Sequence, residues 1–329
     1  MMLRNSERIP FIPVSDNSHQ MPDTALQHVL ARWRQADPTN DRAAAVVRET
    51  FDQLYDGQHT GRYRWDQLYK TEKTHFGTLL EINLRREFRD VIDDGVLLDY
   101  RIVGFDIDCK YSQKDGGWMI PPEAFGELLL VGTADDAAGT WSLGMVRASE
   151  DHLRSSRNRD NKTQLNPAGR QAIRWLARDA ALPPNVLLAL PRDTIDRIFA
   201  PRSGQARLNE LLRLATNRRI GRNTIATVAQ QDDYMKRVRS NGGSRSALAV
   251  EGYVIPGGDY EVHRELARSL GAAVPAPGEV VSLRIVPADP GDSNVVELDG
   301  KYWRLARDDE PITVPAPLLP DTRRQKPIS

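Results

Sequence analysis

The chain has a single cysteine, Cys109, among its 329 residues. That excludes a disulfide framework and a Cys-rich zinc site, and it agrees with a reducing compartment. An excess of either charge is missing too, since 45 Lys and Arg balance 45 Asp and Glu. Any nucleic-acid footprint must therefore be local. Long apolar runs are also lacking. The stretches L-L-L-V-G and V-L-L-A-L fall far short of the about 20 residues a membrane-spanning helix needs, and the start M-M-L-R-N-S-E-R has no apolar signal segment. These features predict a soluble cytoplasmic protein with no membrane partner. No repeat of solenoid period and no long low-complexity tract is present.

What is there suffices for two domains, each with its own core. Residues 1–22 are polar, with Pro10, Pro13 and Pro22, and read as a loosely attached arm. Residues 23–177 mix helical patterns with strand patterns around a central sheet. Leu26, Val29, Leu30 and Trp33 predict a helix over 24–34. A second should be capped by Thr39 or Asn40, carry Ala45, Val46, Phe51 and Leu54, and end at Gly57. Its end, L-Y-D-G-Q, looks like the K-x-D-G core of nucleotidyl-lysine ligases. Leu54 stands where the lysine would be, and leucine forms no nucleotide adduct, so no nucleotide cofactor is expected. A helical stripe of Phe76, Leu79, Leu80, Leu84 and Phe88 follows, with Glu81 beside it. Strands are expected over 128–132 and 140–146, and a helix opening at Asn166-Pro167 should carry Ala172, Ile173, Trp175 and Leu176.

The stretch V-L-L-D-Y-R-I-V-G-F-D-I-D-C-K-Y-S, residues 96–112, carries the chemistry. In an extended strand Phe105, Ile107, Cys109 and Tyr111 share one face, and Asp106, Asp108 and Lys110 the other. A fold-back near Gly104 brings Asp99 beside Asp108. Two carboxylates brought together need a shared proton or a cation, and hard oxygen ligands suit Mg2+. Lys110 can then orient or deprotonate a water, an arrangement able to hydrolyse a phosphodiester. A solvated strand face is the plainer reading of the same spacing.

The string L-D-Y-R-I-V-G-F-D-I-D-C-K resembles the PD-(D/E)xK nucleases and, more closely, the NaeI family of type II restriction endonucleases. The similarity takes in F-D-Q-L-Y-D-G-Q and G-T-L-L-E-I. It implies a Mg2+-dependent nuclease that cuts double-stranded DNA at a palindrome, with a second DNA-binding domain. Glu81, Asp99, Asp108 and Lys110 match the family's catalytic positions, and Cys109 would offer its backbone carbonyl to the metal alongside Asp99, Asp108 and Glu81. Leu98 replaces the proline of the consensus name, at a position without chemistry. The resemblance suggests the GC-rich site GCCGGC.

Two basic segments could meet DNA. In 151–162, Arg154, Arg157, Arg159 and Lys162 outweigh two aspartates, and Asn158 and Asn161 accompany them. Arginine can pair with guanine and asparagine with adenine in the major groove. After a linker at 178–187, the second domain, 188–329, holds two helical segments around Gly221, read as helix-turn-helix. Between residues 192 and 245, twelve basic residues face five acidic ones, a net of about +7. Arg218, Arg219, Arg222, Asn223, Thr224, Lys236, Arg237 and Arg239 are the expected contacts. Two strands around Pro256-Gly257-Gly258-Asp259 would form the wing of a winged helix. Farther on lie a strand over 280–286, a hairpin turning at Asp299-Gly300, and a loose proline-rich end from Pro311. The fold class expected is an α/β nuclease core with a mixed sheet followed by a winged-helix domain. A homodimer holding two DNA copies is the expected assembly. Two other readings stay open: a DNA-binding regulator with an inactive nuclease-like domain, and a nicking or repair nuclease.

Overall fold

In a computed structural model of the chain, residues 23–238 and 243–320 are described. The arm at 1–22 and Arg239 lie outside them. Helix α1 (Thr24–Ala36) starts where Asp23 accepts the Leu26 N–H at 3.0 Å, and it buries Leu26, Val29, Leu30 and Trp33 as their spacing predicts. The Asp23 carboxylate also holds Arg147, at 2.6 and 2.9 Å, which ties the helix to the sheet. Helix α2 (Asp41–Tyr55) is capped differently from expectation. Asn40 sits at a left-handed φ of 62° with no side-chain cap bond, and Asp37 instead accepts the Arg42 and Ala43 N–H groups at 3.3 and 2.9 Å. Val46, Phe51 and Leu54 are buried, whereas Ala45 is exposed. Asp56, not Gly57, closes the helix in the left-handed region, and Gly57 opens the short α3 (Gly57–Thr60). Helix α4 (Lys70–Glu87) buries Phe76, Leu80 and Leu84.

The sheet comprises β1 (Asp93–Asp94), β2 (Tyr100–Ile102), β3 (Phe105–Tyr111), β4 (Leu128–Asp135), β5 (Thr140–Arg147) and β6 (Arg174–Ala181), in that spatial order. All neighbours pair antiparallel except β3 and β4, which run parallel, so the sheet is mixed as expected. Both faces are covered. Ile107, Cys109, Leu128 and Leu130 pack into the core made with α1, α2 and α4. Leu129, Val131 and Val146 pack on the other side with Trp118, Ile120, Leu153, Leu165 and Ile173. Helix α5 (Pro167–Ala172) is shorter than predicted, and Trp175 lies in β6 with Leu176 beside it. Residues 178–181 of the expected linker lie in β6, at the edge of the sheet. Phe105, assigned to the packed face, is exposed at the turn end of its hairpin, next to Val103-Gly104.

The remaining chain forms α6 (Arg192–Phe199), α7 (Gly204–Leu214), β7 (Arg219–Gly221), α8 (Arg222–Ala229), α9 (Tyr234–Val238), α10 (Ser244–Ala249), β8 (Tyr253–Val254), α11 (Glu261–Ser269), β9 (Glu279–Val281), β10 (Leu283–Pro287), β11 (Val296–Leu298) and β12 (Lys301–Leu305). Strand β7 pairs antiparallel with β9, and β8, β10, β11 and β12 make a separate sheet. The hairpin expected around 256–259 does not form. Strand β8 is only two residues long, and the segment after Asp259 becomes α11, whose His263, Leu266 and Ala267 supply a helical buried face. The strand expected over 280–286 is split at Ser282. The Asp299-Gly300 turn forms as expected, with positive φ of 49° and 69°. The stretch from Pro311 is not loose up to residue 320. Ala316 is buried, and its N–H donates to Ala249 O at 2.7 Å. Among the described residues no helix is long and apolar enough to cross a membrane.

Candidate active site

The hairpin of β2 and β3 sets the site. Val103 and Gly104 turn it with positive φ values of 44° and 87°. The register pairs Tyr100 with Ile107 and Arg101 with Asp106, so the next residue outward, Asp99, comes opposite Asp108. Asp99 Oδ2 accepts the Cys109 N–H at 2.8 Å, which fixes its carboxylate against β3. Lys110 Nζ lies 2.7 Å from Asp108 Oδ1, 3.1 Å from the Cys109 carbonyl and 3.7 Å from Asp99 Oδ2. Thus Asp99, Asp108, Cys109 O and Lys110 meet at one point. Cys109 turns its thiol into the opposite core, where burial pushes its pKa up to about 12.

Asp108 is buried because the second core covers its face of the sheet. It pairs across the strands with Leu129, and Lys110 with Val131, both members of that core. Burial pushes its carboxyl up to about 6, against the pull of the Lys110 ammonium. Its second oxygen, Oδ2, is buried without a hydrogen-bond partner. A buried carboxylate oxygen left unpaired is costly unless a further partner is part of the working state. For Lys110, burial works against the charged form, but Asp108 and Asp99 outweigh it and hold its pKa above the ordinary value. In this arrangement the side chain is an ammonium, able to orient and stabilise negative charge rather than to take a proton.

Glu81 comes from α4. Tyr100 OH donates to its backbone carbonyl at 2.7 Å, so a fully buried tyrosine on β2 pins the helix at that residue. Burial raises the pKa of Glu81, with the Asp99 charge adding to it. Tyr100 was not singled out from sequence, although its inward position beside Asp99 follows from the alternation.

The donor set fits a hard divalent cation. Asp99, the unpartnered Asp108 Oδ2 and the Cys109 carbonyl offer oxygen donors, and Asp99 Oδ2, Asp108 Oδ1 and the Cys109 carbonyl already gather around the Lys110 ammonium. Among the described residues, however, no cluster of three or more His, Cys, Asp or Glu side chains is assembled as a metal site.

A family model described as restriction endonuclease NaeI matches residues 27–314. The chain belongs to the NaeI restriction endonuclease family. A type II restriction enzyme NaeI from Lentzea aerocolonigenes is 48% identical over 307 residues, covering 91% of this chain and 95% of that protein. The NaeI resemblance seen at Asp99, Asp108 and Lys110 thus extends across nearly the whole chain.

The residues expected to contact DNA divide into groups. Arg154, Arg159 and Asn161 are exposed and Lys162 is half-buried, and none of the four side chains has a hydrogen bond or ion pair among the described residues. Arg157 and Asn158 are engaged within their own loop: the Arg157 guanidinium donates to Arg154 O and lies 4.7 Å over the Phe125 ring. Farther along the chain Arg219 pairs with Glu279 at 2.5 Å, Arg222 with Asp259 at 3.7 Å and Arg237 with Asp233 at 3.1 Å. Asn223 donates to Asp52 at 2.7 Å, and Thr224 is buried. All five are engaged by intramolecular contacts or burial, and α8 packs against α3. Of that set, Arg218 and Lys236 are exposed and have no side-chain hydrogen bond or ion pair among the described residues. The net positive charge of 192–245 is also partly internal, since Arg207 donates to Val228 O and Ala229 O at 2.7 and 2.8 Å.

Proposed function

We propose that the chain is a Mg2+-dependent type II restriction endonuclease that hydrolyses both strands of a DNA palindrome, GCCGGC being the site to test first. The observation that carries the reading is the convergence of Asp99, Asp108 and Lys110, with one oxygen of Asp108 left buried and unpartnered, in a member of the NaeI family. Asp99, Asp108 and the Cys109 carbonyl would hold the metal, with Glu81 approaching from α4. When bound, the metal supplies Lewis-acid polarisation of the phosphate and lowers the pKa of an attacking water.

The chain's own residues do the rest. The Lys110 ammonium faces the developing charge on the phosphate oxygens and orients the water. Glu81, its pKa raised by burial, is suited to receive the water's proton. Water oxygen bonds to phosphorus, the bond to the 3′-oxygen breaks, and a 5′-phosphate and a 3′-hydroxyl result. We take 23–177 as the catalytic domain, 178–187 as the linker, and 188–329 as a winged-helix unit that binds a second DNA copy and raises the cutting rate. Support for that unit is α7, β7 and α8 in succession, with β9 returning antiparallel to β7. A homodimer matches two equivalent strands of a palindrome.

The test is cleavage of supercoiled plasmid carrying GCCGGC, with Mg2+ or EDTA and with or without a short duplex of the same sequence. Linear product dependent on metal and stimulated by the duplex is expected, and Lys110→Ala should bind the DNA without cutting it. Equal cutting by that variant sinks the catalytic assignment. Open circles alone would make it a nicking enzyme, and binding without cutting under any metal a regulator.

A further inference from the structure

The loop over 154–162 is more ordered than its polar composition suggests. Asn158 Oδ1 accepts the Asp160 and Lys162 N–H groups at 3.0 and 2.9 Å, and the Asn158 N–H donates to Lys162 O at 2.9 Å. Asn161 takes the left-handed backbone that closes the turn, with φ of 59°. Thr163 then joins the loop to the fold through paired backbone bonds with Ile120 at 2.8 and 2.9 Å. Ile120 lies in the core on the same sheet face as Asp108 and Lys110. The loop therefore stands on the face that bears the candidate catalytic residues.

This order decides which side chains are free to read bases. A bidentate contact to adenine needs asparagine to accept through its oxygen, and both lone pairs of Asn158 Oδ1 are already used. Arg157 is held by Arg154 O and by the Phe125 ring. At the tip, Arg159 and Asp160 are exposed, and neither side chain has a hydrogen bond or ion pair among the described residues. An unpaired carboxylate at the tip of a basic loop would repel phosphate. Its use must be something that donates. In the major groove the donors are the amines of cytosine and adenine, and adenine sets its N7 acceptor beside its amine, which disfavours a carboxylate. Cytosine's amine lies beside only the O6 of its partner guanine, the atom that an arginine takes together with N7.

We propose that Arg159 and Asp160 read a C·G pair of the cut site, Arg159 through guanine O6 and N7 and Asp160 through the cytosine amine. Asn158 and Arg157 are the positioning residues that hold this tip. The inference rests on the nuclease reading and adds Asp160 as a specificity residue.

The experiment maps the wild-type site from its cleaved ends. Binding and cleavage are then measured on duplexes with each base pair replaced in turn, for wild type, Asp160→Ala and Arg159→Ala. Wild type should reject T·A for C·G by on the order of 10- to 100-fold at the contacted position, and both variants should lose that preference at one symmetry-related pair of positions. Discrimination unchanged at every position overturns the proposal while leaving the nuclease reading intact. So does a uniform change across all duplexes with an altered salt slope, which marks a phosphate contact. A wild-type protein that neither cuts nor selects any sequence overturns the nuclease reading and this inference with it.

Discussion

Arg48 is the most consequential buried charge outside the candidate active site. Its guanidinium lies 2.9 Å from Asp52 on the same helix and pairs with both oxygens of Asp136, which follows β4. Tyr55 OH donates to Asp136 at 2.7 Å, and Asn223 of α8 donates to Asp52 at 2.7 Å. Arg48 and Asp136 are both under a tenth exposed. Arg48→Met removes the guanidinium that pairs with both carboxylates and leaves them in a low-dielectric site. Breaking a buried pair in this way costs about 3–5 kcal/mol. Proton uptake by Asp52 offsets part of this, since burial raises its pKa even with Arg48 present. At about 2–4 °C per kcal/mol, the melting temperature should fall by roughly 6–20 °C. Arg268→Met is the control, because its pairs with Glu261 and Glu265 are half or more exposed and worth about 1 kcal/mol at most. Thermal unfolding followed by circular dichroism at pH 7.5 reads both. Equal shifts in the two variants would refute the reasoning, and partial recovery in Arg48→Met with Asp136→Asn would support it.

Tyr100→Phe keeps the buried ring but deletes the bond to Glu81 O, so stability should drop by about 1 kcal/mol while cutting falls more than DNA binding does; a matched loss of both would refute the positioning role. Gly57→Ala places a Cβ 2.0 Å from Thr227 Oγ1 and 2.8 Å from Arg62 O, so the α3–α8 contact should loosen and proteolysis between the two parts should accelerate. His263 accepts the Gly257 N–H through Nδ1 at 3.3 Å, and burial, with Arg245 adding to it, pushes its pKa down to about 4. The fold therefore refuses a proton that the unfolded chain takes up below about 6.5, so this contribution is full above that pH and is lost as the pH falls toward 4. Unfolding midpoints measured across that window should fall more steeply in wild type than in His263→Gln.

Much of the candidate site was legible because strand alternation and one glycine turn determine it. Period-two spacing set Asp108 and Lys110 on one face, and the fold-back at Gly104 placed Asp99 opposite. Burial of that face was not legible. It depends on Trp118, Leu153 and Leu165, which come from loops with no periodic signal. Helical stripes at 26–33 and 76–88 read correctly for the same reason that the segment after Asn166 did not. Six residues capped by Asn166 satisfy the helix signal, and the following Trp175 and Leu176 suit a half-buried edge strand equally well. The hairpin expected around 256–259 failed on the reverse ambiguity. The residues after Asp259 can be read at period two, but His263, Leu266, Ala267 and Leu270 recur at helical spacing and find a core there.

Charge was the least transferable signal. A count of arginines between 192 and 245 does not say which ones face water, and several are held by carboxylates or carbonyl oxygens of their own chain. Helix α8 shows the consequence for the proposed second DNA site. Its Asn223 is bound to Asp52, Gly57 leaves room for Thr227, and most of the helix is buried. A duplex that used Asn223 at the start of α8 would first have to break its bond to Asp52. A duplex that leaves this contact closed could use exposed cations such as Arg192, Arg197, Arg202, Arg218 and Lys236, whose side chains have no hydrogen bond or ion pair among the described residues. The two routes differ in what stimulation requires. A ligand shifts an equilibrium only through its differential affinity for the two states, so opening at α8 would couple DNA binding to the Asp52–Arg48–Asp136 cluster behind β4, whereas binding on the exposed cations alone would leave that cluster undisturbed.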